Sequence, residues 1–365
     1  MSSDINYVEL LAMTAAILEK GFSYNGAEAI TTARVLVEAD ARGIPSHGVS
    51  RLNFYKMNLK DGHTHPGNEP KITWETPSSI VVDGNGGVGP YVAEFAVRKV
   101  IEKAHRTGVC FASVRNSNHY GIAGYWAELM AKEDMIGLAF TNTYIAGVPT
   151  FGRFRILGTN PIAAAIPEAK GKIFLLDLAT TTVTHGKVEL YDRRQKPMPP
   201  GWVVDENGNE ITDASAFEKT FYQTNYGGHL FLGGAGEESG GHKGYGLALL
   251  VEILCSGLSM GACSLLTYPT VGNGGITHFF GAFKMDLFGK PREIKAHIGG
   301  ILTNIRESAK AIGQNRIYIH GEKESEAREK ALEEGIYLDK ATRIMLSDFC
   351  RKYRVDEIEG LVDDV

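Results

Sequence analysis

Leu10, Leu11, Met13, Ala16 and Ile17 recur at helical spacing, so the first twenty-one residues read as an amphipathic helix. Asp4, Glu9 and Glu19 break up its apolar residues and no basic segment precedes them, which argues against a signal peptide. A second helix is expected from about Asn25 to Asp40, with Ala27, Ile30, Val35 and Val37 apolar, before Gly43 and Pro45 punctuate the chain. A third is expected from Ser46 to Leu59, ended by Asp61-Gly62, and 62–70 is a loop.

The pattern then changes. Short apolar runs at Ser78–Val82, Val109–Val114 and Ile136–Phe140 predict strands, and they alternate with helical patterns at Val92–His105 and Tyr125–Lys132. Such alternation argues an α/β module. Residues 141–240 are rich in Gly, Pro, Thr and Asn and read as loops around two strands, Ala163–Ile166 and Ile173–Asp177. Beyond them, 243–262 reads as a buried helix, Phe279–Asp286 as a strand and Lys290 to about Ile312 as a long helix. A last strand at Arg316–Ile319 and two helices, roughly 323–334 and 339–352, complete the pattern. Both chain ends are therefore helical. The expected organisation is a helical domain of residues 1–75 plus 290–365 and an α/β cofactor- and substrate-binding region at 76–289.

Composition narrows the function. The 365 residues carry a formal net charge of -5, a poor match for nucleic acid or an anionic membrane surface. No run of 18 apolar residues is present, so no membrane span is expected. Cys110, Cys255, Cys263 and Cys350 form no C-x-x-C pair and read as free thiols in a reducing compartment, with the cytoplasm as the expected location. His63 and His65 lack a third ligand nearby, H-E-x-x-H and cysteine clusters are absent, and no metal is expected. G-x-S-x-G is absent too.

Gly84-Asn85-Gly86-Gly87-Val88-Gly89 matches G-x-G-x-x-G after a strand and before a helix. The dinucleotide reading requires an acidic residue at the end of the next strand, which here ends Val114-Arg115-Asn116. A glycine turn that packs helix on strand is the favoured reading.

Several other segments carry chemistry. In ARGIPSHGVSRL, Ser46 stands near a helix cap, and His47, Arg51 and Tyr55 fall at i, i+4 and i+8, on one face if the segment is helical. Arginine can clamp a carboxylate, and imidazole can move a proton near neutral pH. The second segment, Arg115-Asn116-Ser117-Asn118-His119, follows an apolar strand. Thr143 and the pair Thr159-Asn160 put small polar groups just past other strands, as binding groups or as turn formers. Asp177, flanked by leucines, either orients an imidazole or caps the following turn. Gly240–Gly246, with Lys243 and Gly244, combines backbone amides and a lysine at a helix start, which suits a phosphate.

Together these segments resemble the malate/L-lactate dehydrogenase family of the second, non-Rossmann type, whose relatives include ureidoglycolate and sulfolactate dehydrogenases and diketogulonate reductase. The segments that carry the resemblance are ARGIPSHGVSRL, VRNSNHYGIAGYWAELMA, LGTNPIAAAIP, LDLATTTVTHGKVEL and GGHKGYGLALLVEIL. The resemblance implies a family-specific α/β fold with a mixed sheet and a helical domain made by both termini, a homodimer, and NAD or NADP as cofactor. It implies hydride transfer on a 2-hydroxy or 2-keto acid, with malate/oxaloacetate first and L-lactate, ureidoglycolate or an imino acid as alternatives. His47 and His119 match the pair facing the reacting bond, with Ser46 supporting the first. Arg51, Tyr55 and Thr143 match substrate contacts. Thr159, Asn160, Asp177, Leu178, Ala179, Lys243, Gly244, Gly321, Glu322 and Lys323 match positions along the dinucleotide, Asp177 also as a charge relay. The rival from another class is an inactive nucleotide-binding protein, against which the intact His47, Arg51 and His119 set argues.

Overall fold

The structure is a computed structural model that describes residues 4–268 and 275–361; the first three residues of the expected opening helix lie outside them. The chain opens with α1 (Tyr7–Phe22) and α2 (Gly26–Ala41). Asn25 starts α2 with a capping box, its side chain accepting from the Glu28 N–H while Glu28 accepts from the Asn25 N–H.

The expected helix over Ser46–Leu59 is only half there. The chain makes two 3-10 turns, Pro45–His47 and Val49–Arg51, before α3 (Leu52–Lys60). Gly48 between the turns is extended and lies against Asp40, where a side-chain carbon would meet the carboxylate. His47, Arg51 and Tyr55 therefore do not share one α-helical face.

The sheet follows. Its strands are β1 (Lys71–Thr76), β2 (Ser79–Asp83), β3 (Val109–Ser117), β4 (Met135–Thr141), β5 (Ile162–Pro167) and β6 (Ile173–Leu178), with α4 (Gly89–Thr107) before β3 and α5 (Ala123–Lys132) before β4. The 141–240 region holds more than loop: α6 (His185–Arg193), α7 (Ala214–Gln223) and a ribbon of β7 (Val203–Val204) with β8 (Gly228–His229). Asp213 caps α7 by accepting from the Ala216 N–H, and Val188, Trp202, Phe217 and Phe221 bury a small core between the two helices. The C-terminal part adds α8 (Gly241–Glu252), β9 (Ile276–Lys284), α9 (Pro291–Glu307), α10 (Glu322–Glu334) and α11 (Lys340–Tyr353). Arg316–Ile319, expected as a strand, joins no sheet.

The seven-stranded sheet has the order β1-β2-β3-β9-β4-β5-β6. Only β2 and β3 pair in parallel, through α4, and every other pair is antiparallel. A doubly wound parallel sheet is thereby ruled out. The main core lies between this sheet and α4, α5 and part of α2, with Trp126 and Phe280 fully buried. A second core joins both chain ends: Leu10, Ile17, Leu18 and Leu36 pack with Leu346, Phe349 and Cys350. Each fully buried side chain of this size contributes roughly 1.5–3 kcal/mol.

The glycine turn 84–89 is a packing device. A Cβ on Gly89 would stand 2.2 Å from the His119 carbonyl oxygen, and one on Gly84 2.8 Å from that of Asn116. The polar run that closes β3 and follows it is consumed here. Asn118 donates to the carbonyls of His63, Gly86 and Gly87, and Arg115 and Asn116 both hold Asp83. The turn shows carbonyls to its neighbours rather than free amides to a phosphate. No described helix is long and apolar enough to cross a membrane. The four cysteines are free, and all but Cys263 are buried.

Candidate active site

Two segments far apart in sequence converge on one imidazole pair. The 3-10 turns present His47 and the close of β3 presents His119, with ring centroids 5.7 Å apart and planes 24° from parallel. The first segment is pinned from below. Buried Asp40 at the end of α2 accepts the Val49 N–H at 2.7 Å, and burial pushes its carboxyl up to about 7 against that bond. Sequence reasoning missed Asp40; its signal was an acidic residue in the last turn of an otherwise apolar helix face.

Ser46 Oγ lies 3.0 Å from His47 Nδ1, and Arg51 Nε donates to the Ser46 carbonyl at 2.5 Å. The rest of the Arg51 guanidinium has no protein partner among the described residues, which leaves it for an anion. Tyr55, on α3 and 4% exposed, reaches His119. Its hydroxyl lies 3.0 Å from His119 Nδ1 and donates to the His119 carbonyl at 3.3 Å when turned that way. The Gly121 N–H also points at Nδ1, at 3.3 Å. Tyr55, expected at the substrate, is thus placed against the histidine.

Both imidazoles are held neutral at physiological pH. Burial first and the Arg51 charge second push His47 down to about 4. Burial again, then His47, Arg51 and His278, hold His119 well below its ordinary value. A substrate carboxylate docking on Arg51 would oppose both shifts.

Asp177 corrects the relay expectation. It is the last residue but one of β6, four strands from β3, and its carboxylate accepts the Gly124 N–H at the start of α5 at 2.7 Å rather than touching an imidazole. Desolvation raises its carboxyl to about 6, opposed by that N–H. Asp177 instead lines a cleft of about 240 Å³ with Arg42, Gly124, Tyr318, Gly321 and Lys323. Gly321 has φ +91 and a Cβ there would press 2.8 Å from Leu175 Cβ. The lining carries two carboxylates, Asp177 and Glu324, and two cations, of which Arg42 is already paired with Glu38 and Glu128, so Lys323 is the one left to meet an anion. Leu178 and Ala179 continue from Asp177 at the sheet edge.

Other expected cofactor residues fare unevenly. Lys243 is exposed on the first turn of α8, as a phosphate contact requires, whereas Gly244 lets that helix close onto the Leu232 backbone. Glu322 is spent on Arg306, Arg316 and the Ile319 N–H. Asn160 is wholly buried and donates to the Ala248 carbonyl and to Glu252, so its side chain anchors α8. Thr159 and Thr143 hold each other, the Thr159 N–H donating to Thr143 Oγ1 at 3.0 Å.

Residues 5–346 match the malate/L-lactate dehydrogenase family. The chain is 42% identical over 364 residues to a malate dehydrogenase of Pyrococcus abyssi, covering 98% of each. It is 36% identical to an L-sulfolactate dehydrogenase of Methanocaldococcus jannaschii, covering 91% of this chain and 92% of that one. The crystal structure of malate dehydrogenase from Entamoeba histolytica superposes with a TM-score of 0.91 at 32% identity, covering 98% of this chain and 99% of that one. More distant relatives carry NADP(+) or NAD(+) in their names. The mixed sheet is not a Rossmann fold, and these matches make the class a 2-hydroxyacid dehydrogenase. The chain belongs to the malate/L-lactate dehydrogenase family and is an NAD(P)-dependent oxidoreductase.

Proposed function

We propose that the protein interconverts (S)-malate and oxaloacetate with NAD or NADP. The observation that carries this reading is the imidazole pair of His47 and His119 beside the unpartnered end of Arg51. Malate is preferred because a malate dehydrogenase is 42% identical along nearly the whole chain.

Arg51 clamps the C1 carboxylate, which brings the C2 oxygen to the imidazoles. The imidazole pair takes the hydroxyl proton in oxidation and returns it in reduction. The nicotinamide, when bound, supplies the hydride acceptor or donor for C2. Asp177 would hold ribose hydroxyls, Lys323 and Lys243 the phosphates, and the backbone at Leu178, Ala179 and Gly321 the dinucleotide between them.

Residues 1–75 and 290–365 are read as a helical domain, with Lys71–Thr76 given over to the sheet, and 76–289 as the catalytic α/β region. The second core, drawn from both ends of the chain, supports this division. A homodimer is supported by the exposed apolar row Leu247, Leu250, Ile253, Leu258 and Leu266 along and after α8, where the sequence predicted a buried helix. A cytoplasmic location is consistent with the free cysteines. A panel of 2-keto acids followed at the NAD(P)H absorbance band tests the substrate. Fastest turnover with oxaloacetate is expected, and faster turnover with pyruvate or sulfopyruvate would displace malate.

A further inference from the structure

The two imidazoles stand in different hydrogen-bonding settings. At His47, the neighbour of Nδ1 is the Ser46 hydroxyl at 3.0 Å. A hydroxyl both donates and accepts, so it satisfies Nδ1 bare or protonated. At His119, the Gly121 N–H points at Nδ1 and the Tyr55 hydroxyl also lies within reach. A backbone N–H only donates. A proton on His119 Nδ1 would confront that amide hydrogen with another.

The Gly121 amide is not free to turn aside. Gly121 has φ +85, and a Cβ there would stand 2.1 Å from Val35 Cγ1, so the backbone is seated hard against α2. Tyr55 is fixed in the helical core, and its phenol is kept neutral by burial. Phe54 and Tyr55 both meet the His119 ring edge to face, at 5.5 and 5.7 Å, which fixes the ring plane.

We propose that His119 is locked in the tautomer with Nδ1 bare and Nε2 protonated, and acts as a fixed hydrogen-bond donor to the substrate's C2 oxygen while His47 carries the proton. Gly121 and Tyr55 are then positioning groups for His119. A neutral imidazole used this way polarises a carbonyl without giving up its proton. In oxidation the hydroxyl proton passes to His47 Nε2, the C–H electron pair leaves C2 as hydride to the nicotinamide cofactor, and the C2–O single bond becomes a carbonyl. His119 Nε2–H stabilises the oxygen throughout. In reduction the proton returns from the His47 imidazolium, whose second N–H Ser46 accepts. This division of labour rests on the 2-hydroxyacid reading of the site.

The lock is tested without substrate by long-range proton–nitrogen correlation NMR on the nitrogen-15-histidine enzyme near pH 7.5. Nδ1 of His119 should resonate as a bare, pyridine-type nitrogen and Nε2 as a protonated one; the reverse assignment would overturn the proposal. Replacement by glutamine gives a second readout, because its amide donates a hydrogen bond but carries no transferable proton. His119→Gln should recover at least tenfold in kcat over His119→Ala, on the order of one good hydrogen bond to the transition state. His47→Gln should recover nothing over His47→Ala. Recovery at His47 and none at His119 would reverse the roles. Inactivity of the wild type on every keto acid, with the predicted tautomer observed, would instead sink the substrate reading and leave the lock standing.

Discussion

Asp40 shows how one residue ties the fold to the site. Its carboxylate holds the Val49 N–H, and Gly48 leaves no room for anything larger beside it. With the folded carboxyl near 7 and the unfolded value at 3.8, the native state favours the protonated form. Between about pH 4 and 7 the folded chain therefore binds more protons than the unfolded one, so stability from this residue is full below pH 4 and falls as pH rises to 7. An asparagine in its place would keep the acceptor without the buried charge. Asp40→Asn should accordingly raise the melting temperature relative to wild type by more at pH 8 than at pH 5. A difference that does not change between the two pH values would remove Asp40 as the cause.

Elements explain which parts of the sequence were legible. Long periodic helices such as α2 and α4 and the apolar strands were legible within a few residues, because burial on one face leaves a strong pattern, while α1 starts only at Tyr7. The 45–51 segment was not. Its helical spacing was genuine, yet the close approach of Gly48 to Asp40 splits it into two tight turns, a tertiary constraint invisible to periodicity. The α7 helix was hidden among turn-forming residues, although Asp213 is a sound cap. The G-x-G-x-x-G match is a packing feature: its glycines bring the start of α4 against the His119 backbone. Gly89→Ala should therefore cost roughly 1–3 kcal/mol of stability by overpacking and lower kcat by shifting His119. Unchanged melting temperature and kcat would show that this contact does not position the histidine.

At the scale of the molecule, the chemistry comes from joining two distant chain segments over one sheet. His119 was legible from the polar run that follows an apolar strand, whereas His47 and Arg51 were picked out by a helical spacing that the two tight turns break and by the family resemblance. Of the two roles expected for Asp177, the relay to an imidazole is not met, since its strand lies at the far edge of the sheet and its partner is the start of α5. Asn160 and Glu322 fall on expected cofactor positions but spend their side chains within the chain, Asn160 on hydrogen bonds to α8 and Glu322 on ion pairs with Arg306 and Arg316. The exposed apolar row after α8 belongs to this scale as well. Light scattering should return twice the chain mass, and Ile253→Asp should shift it toward one; a monomeric wild type would refute the dimer.

The central claim, that the imidazole pair drives proton transfer coupled to hydride transfer at C2, is tested most directly by one assay. Oxaloacetate reduction is followed at the NAD(P)H band with wild type, His47→Ala and His119→Ala, with both cofactors. The predicted result is turnover by wild type and losses in kcat of roughly 10²–10⁴-fold in each variant, the range for a lost acid-base or oxyanion-stabilising group. Near-normal kcat in both variants would contradict the account.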